Sequence, residues 1–225
     1  MKHETSVIDI FNEYMRLIAE KRKVPFHSFG LDGQDRRACG DNLFLSTDKF
    51  CIVEYKYTSN EIKNEKRKEK VKSVCLCLEY SEKMKSLHDK CHYIAFSNEL
   101  FLMANIYRKE VCNKKVLGDI PELSSSNQLT GDRVGIKEFA QDFFTNKDMF
   151  LTLKEFEEYL NLLLSCEGKS SDDKSSDRER GLELVISNIE MGSVKIKKVN
   201  SLLEAQEWVI KNYNRRNNFK MGIDF

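Results

Sequence analysis

The chain of 225 residues carries 37 Lys and Arg against 36 Asp and Glu, a formal net charge of +1, and is 40% hydrophobic. That near-neutrality argues against a histone-like or ribosomal binder and confines any nucleic-acid surface to local patches. No apolar run is long enough to cross a bilayer, and Met1-Lys2-His3-Glu4 lacks the apolar core of a signal peptide. A cytoplasmic protein is expected, with one substantial core or a core plus a small module.

From the N-terminus, Val7, Ile10, Phe11, Tyr14, Leu17 and Ile18 recur at helical spacing. Lys21-Arg22-Lys23 stand where cations favour the helix dipole, and Pro25 is a stop. Glu13 borders the stripe beside Ile10 and Leu17, and Glu20 lies further along the same face. His27, just past Pro25-Phe26, reads as a strand or loop residue. Residues 30–40 hold three glycines and no apolar periodicity, which marks a loop or irregular hairpin. Arg36 and Arg37 within it have the chemistry of a phosphate clamp, and equally of an ordinary surface turn.

The most informative stretch follows. Gly40-Asp41-Asn42-Leu43-Phe44-Leu45 puts an acid at the head of an apolar run, and Lys49-Phe50-Cys51-Ile52-Val53-Glu54-Tyr55-Lys56 ends the next run on acid-x-lysine. Ser46-Thr47-Asp48 is the turn between them. Glu54 and Lys56, two apart on a strand, share a face. If the runs pair antiparallel, Asp41 and Glu54 approach from opposite ends of the hairpin, near the tip where Lys56 also sits. Two close carboxylates hold a divalent metal, and an ammonium beside them orients water or offsets developing charge, which together equip a site for phosphodiester cleavage.

Asp41, with Gly40 in place of the usual proline, and Glu54-Tyr55-Lys56 resemble the motif of the PD-(D/E)XK nuclease superfamily, and the resemblance covers roughly the first hundred residues. It implies a restriction-endonuclease-like core of mixed α/β class: a helix, three antiparallel strands, a helix and a fourth strand. It further implies Mg2+, with Mn2+ substituting, held by Asp41, Glu54 and the Tyr55 carbonyl, with Lys56 catalytic and Glu13 as the extra acid the family often carries on its first helix. The implied function is a metal-dependent nuclease, DNA favoured over RNA, in host defence or restriction. A catalytically inactive nuclease-fold module that binds nucleic acid or protein, and a viral-type RNA endonuclease, are the alternatives. Viral members add a histidine ligand, but His27 lies in the wrong place for one.

Behind Lys56, Thr58 and Glu61 have capping-box spacing and predict a helix. Over residues 61–72, Lys63, Lys66, Arg67, Lys68, Lys70 and Lys72 face Glu61, Glu65 and Glu69, a net +3. Beside a phosphodiesterase site such an excess points to backbone contact with nucleic acid, with Lys63, Lys66, Arg67 and Lys70 foremost. For any single lysine a solvated, salt-bridged helix face, which the interleaved glutamates support, is the leading reading. Ile62, Val71, Val74, Cys75 and Leu78 give its inner stripe. His92 to Phe96 reads as the fourth, buried strand.

Seven cysteines, an odd number without CxxC, read as reduced thiols, buried and inert; a metal site from Cys91, His88 and His92 is conceivable on position alone. Further on, residues 99–134 have mixed character, with a short apolar segment from Leu100 to Tyr107. Ile136 to Phe144 and Leu153 to Leu164 recur at helical spacing, the second behind a capping box of Thr152 and Glu155 with Leu151 and Phe156 as its staple. Thus residues 1–166 form the expected nuclease-like unit with a helical extension, 167–180 a polar linker, and 181–225 a ββα tail whose helix starts on Ser201 and Glu204. That tail is expected to dock on the core, extend its sheet, or meet a second copy or partner protein. Trp208 reads as a packing residue.

Overall fold

The two apolar runs on either side of Thr47-Asp48 form the centre of the molecule. The computed structural model describes residues 2–31, 40–146, 149–166, 184–190, 193–199 and 201–221. In it β2 (Asn42–Ser46) and β3 (Lys49–Thr58) pair antiparallel, Asn42 opposite Val53 and Ser46 opposite Lys49. The two-residue turn favours positive φ, and Thr47 adopts 52°. β1 (His27–Gly30) lies on the other side of β2, also antiparallel. All of β2 and Phe50 to Lys56 of β3 are buried. Both faces of the sheet are covered, which is why these runs are continuously apolar rather than alternating.

The chain leaves β3 through helices and returns as β4 (His92–Asn98), parallel to β3, with Glu54 opposite Ile94 and Lys56 opposite Phe96. β5 (Phe101–Ile106) and the short β6 (Val134–Gly135) follow antiparallel. The protein is therefore mixed α/β around a six-stranded mixed sheet of order β1-β2-β3-β4-β5-β6. Sequence periodicity stops at the fourth strand; β5 adds a fifth because β4, buried from His92 to Phe96, needs its other edge paired.

On one face lies α1 (Lys2–Arg22), whose inward stripe is Val7, Phe11, Met15 and Ala19. Ile10 and Leu17, counted in the expected stripe, are 58% and 52% exposed, so the helix is rotated from that expectation. Phe11 packs against Phe44, Tyr55 and, from α6 (Ile136–Thr145), Phe139. On the way to β4 come a 3-10 helix (Ser59–Arg67), α2 (Glu69–Tyr80) and α3 (Glu82–Cys91). The expected capping box does not form: Thr58 makes no side-chain cap bond, and nine residues wind as 3-10 before the α-helix begins. Such a run is long for this geometry.

Residues 107–117 hold two short helices, α4 (Tyr107–Val111) and α5 (Lys114–Leu117). α7 (Leu153–Ser165) does start on its capping box, Glu155 Oε2 accepting from the Thr152 N–H at 2.9 Å and its hydroxyl at 2.7 Å. Leu151 and Phe156 are both buried against Phe50, whose N–H donates to the Leu151 carbonyl and whose ring stacks on Phe156. Between α3, β4 and α7, Tyr159 Oη lies 2.8 Å from His88 Nδ1 and 2.6 Å from His92 Nδ1. His88 Nε2 accepts the Arg108 N–H at 3.3 Å, so its Nδ1 carries the proton and donates to Tyr159, whose hydroxyl then donates to His92. Burial holds the His88 imidazole well below its usual pKa.

Four cysteines depart from the expectation of free thiols: Cys75 is bonded to Cys112 and Cys77 to Cys166. Two residues apart on α2, Cys75 and Cys77 point to different sides, and each meets its own neighbour. Cys51 and Cys91 are free and buried. Cys39 lies outside the described residues.

A separate two-stranded sheet, β7 (Leu184–Glu190) and β8 (Ser193–Val199), and α8 (Leu202–Met221) make the C-terminal ββα element. Ser201 Oγ accepts the Glu204 N–H at 3.1 Å. α8 lies on the β1–β2 end of the core: Trp208 meets the His27 ring edge-on at 4.9 Å, Gln206 donates to the Thr47 carbonyl, and Tyr213 donates to the Lys23 carbonyl. The expected linker, 167–180, lies outside the described residues. No helix among the described residues is long and apolar enough to cross a membrane.

Candidate active site

Asp41 stands one residue before β2. Its N–H donates to the Val53 carbonyl at 3.0 Å, its carbonyl accepts from Leu31 at 2.7 Å, and its Oδ2 accepts the Tyr55 N–H at 2.8 Å. Three bonds thus fix it across from Glu54, at the open end of the hairpin and not near its tip, because Asn42 pairs with Val53 far from Thr47. A Cβ at position 40 would overlap Ile52 Cγ2, so the residue before Asp41 has to be glycine while Ile52 is packed as it is. Asn42 donates to Ser28 Oγ at 2.6 Å and Ser28 to Asn12 Oδ1 at 3.0 Å, tying this end of β2 to β1 and α1.

Glu54 and Lys56 share a face of β3 and form an ion pair, the Lys56 ammonium also donating to the Tyr55 carbonyl at 2.8 Å. Two partners absent from the sequence-based site come from the 3-10 helix region. Glu65 Oε1 lies 2.9 Å from Lys56 Nζ, and Lys68 Nζ lies 2.5 Å from Glu54 Oε1 and 3.1 Å from Glu65 Oε1. Three residues per turn put Ile62, Glu65 and Lys68 in one line, and Ile62 and Glu65 are buried. That period of three is the signal an α-helical reading overlooks. Tyr107 Oη donates to Glu65 Oε2 at 2.6 Å, whereas Glu65 Oε1, though within ion-pair range of both ammoniums, accepts no aligned hydrogen bond.

α1 supplies a different acid from the one expected. Glu13 is exposed and paired with Arg16 on the outward face, next to Ile10 and Leu17. Glu4 instead continues the buried Val7–Phe11–Met15 stripe by one turn and places Oε1 3.4 Å from Lys56 Nζ. Lys63, Lys66 and Arg67 are exposed, on sides of the 3-10 helix away from Glu65, and Lys70 in α2 is half-buried. Arg36 and Arg37 lie outside the described residues.

The electrostatics are lopsided. Burial, then the neighbouring Glu65, pushes the Glu54 carboxyl up to about 7. Burial also raises Asp41, against the Tyr55 N–H that favours its ionised form. For Glu65, burial is outweighed by Lys56, Lys68 and the Tyr107 hydroxyl, and its carboxyl is held low. Lys56 and Lys68 are both held firmly protonated, Glu54 and Glu65 outweighing burial. Fully ionised, Asp41, Glu54, Glu65 and Glu4 exceed the two ammoniums by two negative charges.

No protein-family model, curated protein or solved structure matches this chain.

Among the described residues no three His, Cys, Asp or Glu side chains are already gathered for metal coordination; Lys56 and Lys68 stand between the carboxylates. The donor set nevertheless fits a hard divalent cation. It offers oxygens only, a surplus equal to one such charge, and a buried carboxylate oxygen, Glu65 Oε1, without an aligned donor.

Proposed function

We propose that this protein is a metal-dependent nuclease of the PD-(D/E)XK type. The observation that carries the reading is the meeting of Asp41, Glu54 and Lys56 at the open end of one hairpin with more negative charge than its lysines offset. The order helix, three antiparallel strands, helical crossover and parallel fourth strand supports it. Asp41, Glu54, the Tyr55 carbonyl and Glu65 would hold Mg2+ or Mn2+. When bound, the ion supplies Lewis-acid stabilisation of charge on the scissile phosphate.

The chain's own groups do the rest. Lys56 keeps its proton at neutral pH, so it acts as a fixed cation that orients a water or offsets phosphoryl charge and not as a base. Glu4 and Tyr55 O hold that ammonium in place. Lys63, Lys66 and Arg67 offer exposed cations for a nucleic-acid backbone, DNA being favoured.

A second reading, a nuclease-fold module that binds without cutting, is favoured by the two ammoniums already lodged against Glu54. A cleavage panel of linear, circular and single-stranded DNA and of RNA, each with Mg2+, Mn2+ and EDTA, decides between them. Divalent-dependent cutting lost in Asp41→Ala supports the nuclease. Binding without cutting under every metal supports the second reading.

A further inference from the structure

The two lysines of the cluster are held differently. Lys56 has a side chain 8% exposed and is fixed from four directions, by Glu54, Glu65, Glu4 and the Tyr55 carbonyl. Lys68 has a side chain 42% exposed and, among the described residues, pairs with two carboxylates, Glu54 and Glu65, which come from different elements. A single cation bridging two carboxylates of separate elements is what a metal ion does in such a site. Lys68 also sits at a joint: it ends the 3-10 helix and precedes α2 with extended backbone, φ −83° and ψ 115°. Its side chain therefore has a route to solvent that does not disturb β3.

We propose that the Lys68 ammonium is a built-in counter-ion, occupying the divalent-cation position between Glu54 and Glu65 in the metal-free protein and swinging out to solvent when metal enters. The inference rests on the nuclease reading and adds a regulatory element to it. It accounts for how three buried or half-buried carboxylates at one place are tolerated before metal arrives, since an uncompensated buried charge is strongly destabilising. It also makes metal affinity a difference, the ion's attraction less that of the lysine it displaces. Lys56 is not the group displaced, because its side chain is buried and Glu4 holds it besides the two carboxylates.

The test is a calorimetric Mn2+ titration of the full chain, with melting temperature as a second readout, for wild type, Lys68→Met and Asp41→Ala. Expected for Lys68→Met are Mn2+ binding tighter by about tenfold or more, a lower metal-free melting temperature, and a larger rise on adding Mn2+ than wild type shows. Lys68→Gln, which keeps a hydrogen-bond donor but no charge, should give the same direction and stands in if the methionine variant folds poorly. Equal or weaker Mn2+ binding in both Lys68 variants, with binding lost in Asp41→Ala, overturns the counter-ion and leaves the metal site standing. Absence of Mn2+ binding in wild type and variants alike overturns both.

Discussion

Two buried carboxylates, Glu110 and Glu65, meet their cations in opposite ways. Glu110, within α4 just past β5, is closed: Arg133 donates to both its oxygens at 2.6 and 2.8 Å, Asn105 adds a bond at 2.8 Å and Gln128 one at 3.1 Å. The Arg133 guanidinium in turn lies over the Phe96 ring. One acid meets one planar base, and every lone pair has a donor. Glu65 shares two point-charge ammoniums with Glu54, and one of its oxygens lacks an aligned donor. The contrast is between a carboxylate fully bonded by neutral amides and one guanidinium and a carboxylate that shares its cations with a second acid, the arrangement that the proposed metal site requires.

Breaking the closed network should cost most. Glu110→Ala takes both carboxylate acceptors from the half-buried Arg133 guanidinium, while Asn105 keeps its bond to the Leu129 carbonyl, and it should lower stability by about 3–5 kcal/mol, read by urea unfolding, with Mn2+ affinity unchanged. A loss under 1 kcal/mol would mean that the network is no more structural than the open cluster.

Part of the acid limb of stability should belong to neither cluster, beside the share that the lowered Glu65 carboxyl contributes. Burial, then the nearby Arg216, lowers His27 to about 4 from an ordinary 6.5. Its contribution is therefore full above pH 6.5 and is lost as pH falls through about 4, at most about 3 kcal/mol. His27 packs on Trp208, the one tryptophan of the chain, so intrinsic fluorescence should report loosening of α8 over that window. A fluorescence signal flat from pH 7 to 4 would contradict this assignment.

Gly40→Ala probes the frame of the open cluster. Its methyl would overlap Ile52 and should cost about 1–3 kcal/mol while weakening metal affinity, because Asp41 follows directly. Alanine with unchanged unfolding and Mn2+ titration would show that the hairpin end adjusts freely.

Smallest in stability is Glu54→Gln. With its carboxyl raised to about 7, Glu54 contributes stability that is full below pH 4.5 and lost as pH rises through about 7. The glutamine variant should lack that decline and stay within about 1 kcal/mol of wild type at pH 8, since lost ion pairs and relieved burial of charge offset one another. Metal binding should be gone. A loss as large as that of Glu110→Ala would erase the distinction between the two carboxylates.

Patterns local in the chain were legible in the sequence. The hairpin, its acid and acid-x-lysine ends, the β4 strand, the capping box at Thr152, the Ser201 cap on the Glu204 N–H and the ββα order each depend on neighbours a few residues apart, where strand alternation and cap geometry act. Tertiary packing decided what those rules leave open. Which side of α1 faces inward depends on how Phe11 meets Phe44, Tyr55 and Phe139, and that rotation sends Glu13 to solvent and Glu4 to Lys56. The cysteine pairs join residues 37 and 89 positions apart. Glu65 and Lys68 looked like members of a solvated charged helix until the segment was wound at three residues per turn, a choice fixed by the burial of Ile62 and the Tyr107 hydroxyl and not by the local charge pattern.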